Sequence, residues 1–387
     1  MEYWAAQMQM VRHKENVAIA LASTQYRAQL SDGDTLNKPY RSYLSDKAYT
    51  KGTDITVQDI SSTNEYLTVD TSRVVPFYVD DIDKIENKWD TAAKFAQDSQ
   101  RVLNNRLDQA ILGEYSNATS TVYNDDVGGS GATTSVPVTT SNIQRLFSAA
   151  SRKLTALDVR PDNRFAVVSP RLMETLKLYV GARETSFGDS VEANGKVGTR
   201  FGFELYQSNN CPYTATWTPA NNPSDGDTVS IAGVTFTFET GTLDTAGMVN
   251  VGGSTAESID NLVNCINNAG TVGTDYVQLT NANRKLLQKA GVVATDGTTT
   301  LTIVAYGDII VASSDSNDPW SAQIQHILMG QKGATDLVLQ KAPSVEFRMA
   351  EKRLGRYVYP WMLYGKKTFA DMADALVDVV TNASTWA

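Results

Sequence analysis

The chain has 387 residues, of which 42% are hydrophobic and 20% charged, and its formal net charge is −9. This composition is typical of globular proteins, and the length leaves room for a large core and two domains. No apolar run reaches the roughly 18 residues of a membrane span, and the short run Val17–Ala22 lacks the flanks of a secretion signal, so we expect folding in a cytoplasm. Cys211 and Cys265 are too few for a disulfide framework or a metal cluster and are expected to be free thiols.

The negative charge is concentrated in one segment. Residues 215–318 contain three basic and eleven acidic residues, a net charge of −8, whereas the rest of the chain is close to neutral. An acidic block inside a neutral chain indicates an inserted module. The sequence has no basic stripe with interleaved aromatic residues, which argues against sequence-specific recognition of nucleic acid.

The first 80 residues predict an arm followed by a hairpin. Residues 1–30 are loosely helical and are expected to need a partner surface, and residues 32–40 have the composition of a turn. Residues 55–57 and 66–69 alternate as two strands around a turn at 61–64. Because an isolated hairpin is only marginally stable, we expect it to lie on its own domain or on another subunit.

A long amphipathic helix is predicted next, from about residue 82 to 112, which is about 45 Å at 1.5 Å per residue. Asp80, Asp81 and Asp83 stand at its start, where capping and the helix dipole explain them better than a cation site. Apolar or small residues recur mostly at steps of three, four and seven, which predicts one buried face; they are Ile82, Ile85, Trp89, Ala92, Ala96, Leu103, Leu107 and Ile111.

A glycine-rich loop is the most informative feature of the middle of the chain. Gly195, Gly198 and Gly202 precede the apolar run Phe203–Tyr206, which predicts an irregular loop followed by one short strand. No helix follows directly, so the stretch does not match a phosphate-binding loop. Three elements are predicted upstream: a capped helix over 141–157, the strand Arg164–Val168 and a helix that begins at Ser169–Pro170.

The acidic segment is expected to form a small α+β domain of its own. A hairpin over 228–238, a helix capped by Ser254 and Glu257, and strands over 300–304 and 309–311 give it enough structure to fold alone. The chain then ends in extended runs. Along one of them lie Tyr357, Tyr359, Trp361 and Tyr364, for which one buried strand face is the simpler interpretation and a stacking platform for bases or sugars is the alternative.

The sequence offers no recognisable catalytic arrangement. His13 and His326 are the only two histidines, and neither stands in a nucleophile motif. No pair of carboxylates is marked by its spacing as an acid and a base. We therefore expect no enzymatic activity, no cofactor and no bound metal.

The order of these parts resembles the major capsid proteins of tailed double-stranded DNA bacteriophages, which have the Hong Kong 97-type capsid fold. The matching stretches lie between about residues 32 and 212 and between 319 and 380: Gly33–Pro39, Leu67–Asp70, Val79–Asp83, Val167–Pro170, Gly195–Pro212 and Tyr364–Gly365. Each is weak alone, and their order makes the resemblance specific. The acidic segment departs from the common pattern and is similar to a family-variable insertion.

The resemblance implies an α+β capsid fold with six segments: an N-terminal arm (1–39), an extended loop (40–78), a peripheral domain with a long spine helix (79–159), an axial domain (160–214), an insertion domain (215–318) and a return to the axial and peripheral domains (319–387). It also implies three groups of functional residues. These are inter-subunit contacts at Tyr49, Lys51, Ile55, Val57, Tyr66, Leu67 and Val69, a spine-helix core at Ile85, Trp89, Leu103 and Leu107, and an axial-domain loop at Gly195, Gly198 and Gly202.

The implied function is self-assembly, as hexamers and pentamers, into an icosahedral head that encloses double-stranded DNA. A separate scaffolding protein and a portal are the implied partners, the DNA is contacted non-specifically, and no membrane is involved. Assembly in the host cytoplasm and a final location in the virion follow. Relatives that crosslink use a loop lysine, but no motif selects a partner for Lys47 or Lys51. The repeated negative charge of the insertion favours its placement away from the DNA.

Two other functions are compatible with the sequence. A nanocompartment shell protein of the encapsulin type would share the fold and would co-purify with a protein cargo instead of DNA. A surface adhesin that does not form a shell would explain the insertion rich in threonine and asparagine, and it would be a monomer that binds glycans.

Overall fold

The structure is a computed structural model that describes residues 14–31, 33–41, 44–55, 57–58, 62–80, 91–182, 198–314, 320–349 and 354–382. The chain divides into two compact units. Unit 1 comprises Met1–Asn117 and Lys332–Ala375, and unit 2 comprises Ala118–Gln331 and Leu376–Ala387.

The described residues form more strands than helices, and the helices stand between runs of strands. The strands are β1 (Thr35–Arg41), β2 (Ser62–Thr68), β3 (Thr71–Val74), β4 (Phe77–Asp80), β5 (Ser120–Val122), β6 (Arg164–Val168), β7 (Thr199–Arg200), β8 (Phe203–Gln207), β9 (Pro212–Trp217), β10 (Thr228–Ile231), β11 (Val234–Glu239), β12 (Met248–Asn250), β13 (Val293–Asp296), β14 (Leu301–Tyr306), β15 (Val311–Ser313), β16 (Trp320–Gln331), β17 (Asp336–Met349), β18 (Gly355–Lys367) and β19 (Leu376–Asn382). The helices are α1 (Thr91–Leu112), α2 (Ile143–Ala156), α3 (Pro170–Gly181), α4 (Thr255–Asn267), α5 (Asn281–Ala290) and α6 (Ala370–Ala373).

Unit 1 is built from the long helix α1 and a four-stranded antiparallel sheet. The sheet has the order β17-β18-β3, and β4 also pairs with β18. The apolar face of α1 carries Leu103, Leu107 and Ile111, all buried. The predicted helix therefore ends where the pattern placed its end, whereas Ile85 and Trp89 lie outside the described residues.

The predicted hairpin near the N-terminus is wrong in its pairing. β1 pairs with β2 along its whole length, from Thr35 opposite Thr68 to Arg41 opposite Ser62. Residues 35–40, which were expected to belong to a turn over 32–40, supply most of β1. Residues 62–64, which were expected to belong to a turn over 61–64, are the first residues of β2. Pro39 misled the prediction because proline is usual in turns but is also tolerated in an edge strand, where its missing N–H has no ladder partner to lose.

The N-terminal arm docks on its own unit. A short 3-10 helix at Ala18–Ala20 lies against α1, and the buried carboxylate of Asp108 accepts hydrogen bonds from the backbone N–H groups of Val17 and Ala18 at 2.8 and 2.7 Å. Ser23 bonds through its backbone to Thr335 and Leu337 at the start of β17. The described part of the arm therefore needs no other subunit to find a partner surface.

Unit 2 contains a nine-stranded sheet and a four-stranded sheet. The larger sheet runs β13-β14-β9-β16-β6-β8-β7, with β19 beside β16 and β5 beside β19; the smaller one runs β12-β11-β10-β15. Helix α2 was expected to share the segment 79–159 with the long helix, but it belongs to unit 2, where it packs against β5 and β19.

The acidic segment is not set apart from the rest of unit 2. Its first three residues complete β9, which pairs with β14 inside the segment and with β16 beyond it. One hydrophobic core includes Tyr213, Phe236, Ile259 and Trp320, so it extends past both predicted boundaries, 215 and 318. The boundary predicted at residue 215 therefore divides strand β9, and the two boundaries at 215 and 318 together divide one hydrophobic core.

Strand β18 reverses the predicted arrangement of its aromatic residues. Val358, Met362 and Tyr364 are buried on the face toward α1, whereas Tyr357, Tyr359 and Trp361 lie half-buried on the opposite face. The prediction of one buried aromatic face is therefore wrong for the odd-numbered residues. The reason is that α1 covers the even-numbered face of β18, from which Lys366 also reaches Ala110 and Glu114.

Candidate assembly surfaces

The tip of the β1–β2 hairpin is the most exposed apolar surface in the described part of unit 1. Among the described residues from 44 to 58, every residue except Gln58 is exposed. Ile55 is 71% and Val57 86% exposed, and Tyr49 and Lys51 are also exposed. Exposed apolar side chains that stand close together mark a surface that binds another molecule, and Ile55 and Val57 are two residues apart.

The two sides of the tip are joined by one side chain. Gln58 accepts a hydrogen bond from the backbone N–H of Ser45 at 3.3 Å and donates to its carbonyl oxygen at 2.6 Å and its hydroxyl at 2.9 Å. These bonds replace part of the ladder that ends with Arg41 and Ser62, so the tip continues the hairpin as a connected element.

The seven residues predicted as inter-subunit contacts fall into two groups. Tyr49, Lys51, Ile55, Val57 and Tyr66 are exposed. In contrast, Leu67 and Val69 lie with Leu30, Val338 and Phe369 in a buried cluster of unit 1. Both side chains are buried against their own chain, so they are not available to contact another subunit.

An ion pair near the C-terminal end of α1 connects the long helix to the sheet. Glu114 accepts hydrogen bonds from Lys366 Nζ at 2.6 Å, Asn117 Nδ2 at 2.7 Å and Thr368 Oγ1 at 2.8 Å, and Lys366 also donates to the carbonyl oxygen of Ala110 at 2.7 Å. Burial alone would raise the pKa of Glu114, but the Lys366 ammonium and the three donors outweigh burial and hold this pKa below its ordinary value. We call Glu114, Lys366 and Thr368 the helix–sheet latch.

The face of the unit 1 sheet opposite α1 carries an aromatic row. The rings of Tyr78 and Tyr357 are 5.3 Å apart and those of Tyr357 and Tyr359 are 6.1 Å apart. Two cations lie over this row: Lys341 is 5.3 Å from the centre of Trp361 and Arg348 is 5.8 Å from that of Tyr359. Because cations of the same chain already lie over two of the rings, the row is poorly suited to stack on bases or sugars.

The predicted axial-domain loop forms a tight hairpin at its described end. Gly198 and Gly202 both have positive φ angles, and Gly202 forms the turn between β7 and β8 together with Phe201, whose φ is also positive at 52°. A phenylalanine with a left-handed backbone conformation is uncommon. The ring of Phe201 stacks on that of buried Phe147, with a centroid separation of 5.4 Å. Gly195 lies outside the described residues.

His326 takes part in a cross-strand chain of hydrogen bonds in unit 2. Its Nδ1 lies 2.7 Å from Asp378 Oδ2 and its Nε2 lies 3.0 Å from Thr214 Oγ1. Burial raises the pKa of Asp378, against the opposing effect of His326. Because the His326 and Asp378 side chains are only 10% and 8% exposed, the arrangement connects β9, β16 and β19 without presenting a hydroxyl and a base to a substrate.

Two further findings concern the described residues alone. None of their helices is long and apolar enough to cross a membrane. Among the same residues, no three His, Cys, Asp or Glu side chains are grouped so that they could hold a metal ion.

Comparison with known proteins identifies the family and the fold of this chain. A model of the family described as "Phage capsid protein" matches residues 48–253, just over half of the chain. Solved structures from several bacteriophages match over nearly the full length of the chain. The one from Mycobacterium phage Che8 is 15% identical with a TM-score of 0.59, covering 99% of this chain and 97% of that one. The capsid structure of Cyanophage P-SCSP1u is 14% identical with a TM-score of 0.55, covering 98% and 91%, and that of Cyanophage Pam1 is 13% identical with a TM-score of 0.52, covering 99% and 96%. No curated protein sequence matches significantly.

The structural matches define the fold as the Hong Kong 97-type capsid fold, and the family match defines the class as structural proteins of a capsid shell. The chain belongs to the phage capsid protein family. It is a structural shell protein that associates with copies of itself and is located in the capsid of the virion. Neither the nanocompartment shell nor the adhesin is favoured by these findings.

Proposed function

We propose that this protein assembles, as hexamers and pentamers, into the icosahedral head that encloses a double-stranded DNA genome, and that the tip of its hairpin lies on a neighbouring subunit. The observation that carries the proposal is the exposed apolar tip at 44–58 on a chain of the phage capsid family. Burying one large aliphatic side chain contributes about 1.5–3 kcal/mol. A contact of this size is weak singly and becomes sufficient when every subunit of a closed shell repeats it.

The proposed partners follow from the same role. A scaffolding protein directs assembly in the host cytoplasm, and a portal occupies one vertex. The packaged DNA is contacted without base recognition. The acidic segment, with its net charge of −8 on each subunit, faces away from the DNA, because facing inward would add like charge to densely packed phosphates. Salt screens such repulsion beyond about 10 Å at 0.1 M, so the effect for one subunit is modest and its repetition favours the outward placement.

The test removes the apolar surface of the tip without disturbing the fold. The variant Ile55→Ser/Val57→Ser is compared with a control, Val272→Ser/Ile310→Ser, which removes two exposed apolar side chains elsewhere. Wild type and both variants are each co-expressed with the genes adjacent to the gene of this protein. The particles are examined by sedimentation velocity and electron microscopy. We expect closed, DNA-containing heads for wild type and control, and only subunits or capsomers for the tip variant. Normal heads from the tip variant, or wild-type shells filled with a protein cargo, would contradict the proposal.

A further inference from the structure

The base of the hairpin is held by charged residues on both of its strands. We propose that Lys38 and Glu65, together with Phe369 and the first two residues of α6, Ala370 and Asp371, form a clamp that fixes the angle at which the hairpin leaves unit 1. Through that angle, the clamp sets where the tip meets the neighbouring subunit and how strongly the shell curves. This inference rests on the proposed role of the hairpin and assigns its positioning residues.

Lys38, on β1, forms the first half of the clamp. Its Nζ donates to Asp371 Oδ1 at 2.9 Å and Oδ2 at 2.7 Å. The same ammonium lies 4.5 Å from the centre of the Phe369 ring, and that ring is buried. A single cation therefore contacts both a carboxylate and an aromatic face at the start of α6, which restricts the position of the ammonium more than a simple ion pair does.

Glu65, on β2, forms the second half. It stands directly opposite Lys38 in the register of the hairpin, and its Oε2 accepts a hydrogen bond from the backbone N–H of Ala370 at 3.1 Å. Two facing residues of the hairpin thus contact adjacent residues at the start of α6. Because both strands are held at the same level, a rotation of the hairpin about its base breaks at least one of these contacts.

The surroundings of the clamp explain why it is needed. Below it, Leu36 and Leu67 pack into the buried cluster with Phe369. Beyond it, all described residues of the tip except Gln58 are exposed, so contacts of the tip with unit 1 do not hold the hairpin in place. Beside it lies an open cleft of about 320 Å3 lined by Lys38, Pro39, Tyr40, Glu65, Phe369 and Asp371, which leaves room for the hairpin to tilt once the charged contacts are removed.

The length of the hairpin multiplies any tilt at its base. β1 alone continues three residues beyond Lys38, about 10 Å at about 3.3 Å per residue, and the tip extends farther. The Lys38 and Asp371 side chains are 23% and 38% exposed, and ion pairs this exposed contribute little to folding stability. Loss of the clamp should therefore change the direction of the hairpin while leaving unit 1 folded.

The first experiment measures hairpin direction in unassembled full-length subunits. Spin labels are attached at Asp54→Cys on the tip and Gln97→Cys on α1; native Cys211 and Cys265 are buried and should not react. Distance distributions are recorded for the clamp variants Lys38→Met and Asp371→Asn, for the charge exchange Lys38→Asp/Asp371→Lys, and for the control Arg101→Met, which removes a surface pair on α1. We expect one narrow distribution for the unmodified clamp and the control, at least a doubling of the width for each clamp variant, and narrowing on charge exchange. Equally narrow distributions in all variants would overturn the proposal.

The second experiment measures shell geometry with the same variants but no labels. Lys38→Met and Asp371→Asn should give a several-fold lower yield of closed shells and a broader range of diameters, while their melting temperatures stay within about 2 °C of wild type. If a clamp variant has a lower melting temperature than wild type, the separate variant Lys38→Arg, which keeps the positive charge, decides the question. Its shells should have the wild-type diameter, and any other diameter would refute the clamp. Loss of shells in the tip variant with normal shells in the clamp variants would refute the clamp alone, whereas normal shells in the tip variant would refute the proposed function.

Discussion

Replacing Lys366 by Met should destabilise unit 1 strongly, because it removes the cation from the helix–sheet latch. The substitution keeps most of the aliphatic length of the side chain, so packing changes little. It leaves the Glu114 carboxylate with two neutral donors, Asn117 and Thr368, and leaves the carbonyl oxygen of Ala110 without the Lys366 ammonium. The main loss is therefore the charge partner of a buried carboxylate.

The size of the effect follows from how buried the two partners are. Removing one partner of a fully buried ion pair costs about 3–5 kcal/mol, while exposed pairs contribute about 0–1 kcal/mol. The Glu114 side chain is 8% exposed and that of Lys366 30%, so we place the loss between these limits at about 2–3 kcal/mol. In a domain of about 150–250 residues this lowers the melting temperature by about 5–10 °C.

The assay is thermal and urea unfolding of unassembled full-length subunits, followed by circular dichroism. Arg101→Met serves as the control because it removes a cation from a solvent-exposed pair with Asp98 at 3.7 Å, and it should change stability by less than about 0.5 kcal/mol. The double variant Glu114→Gln/Lys366→Met should be more stable than Lys366→Met alone, because it no longer buries an unpaired charge. A Lys366→Met protein as stable as the Arg101→Met control would refute the reasoning.

Three further predictions concern acid stability, the long helix and the acidic segment. The pKa of Glu114 is held below its ordinary value of 4.5 in the folded chain. The contribution of Glu114 to stability should therefore be complete at neutral pH and disappear as the pH falls from 4.5 through the lowered pKa. The difference in unfolding free energy between wild type and Glu114→Gln should shrink over that range, and a difference that grows on acidification would contradict this prediction. Leu103→Asp should lower the free energy of unfolding by several kcal/mol, because it places a charge at a buried position of α1. The control Val102→Asp, at a position 41% exposed, should have a melting temperature close to that of wild type. Equal melting temperatures of the two variants would show that the Leu103 face is not buried in solution. Residues 215–318 expressed alone should show no cooperative thermal transition, because the fragment lacks the first half of β9 and all of β16; a sharp transition would show that these strands are dispensable.

Local sequence signals predicted the elements that carry them. The hairpin of β10 and β11 turns at Ala232 and Gly233, both with positive φ, as a two-residue loop between alternating strands requires. The cap of α4 is formed by Ser254, whose hydroxyl accepts from the backbone N–H of Glu257 at 3.3 Å. In these cases the interacting residues are neighbours in sequence, so spacing alone contains the information.

Contacts between distant residues could not be predicted in the same way. Glu114 and Lys366 are 252 residues apart, and Lys38 and Asp371 are 333 apart. Nothing in the sequence around any of these four residues distinguishes it from an ordinary surface charge. The family resemblance came from the order of several weak motifs, which reports the fold but not which charged residues meet within it.

The acidic segment shows why composition and topology give different boundaries. Charge is a property of surfaces, and the change to an acidic surface occurs near residue 215. Pairing is a property of the backbone, and there Trp217 lies opposite Leu301 on one side and Trp320 on the other. The segment contains the whole four-stranded sheet of unit 2, yet it is also joined to the main sheet of that unit, because β9, β13 and β14 are strands of the main sheet. Backbone pairing therefore makes the acidic segment continuous with the rest of unit 2, although its charge sets it apart.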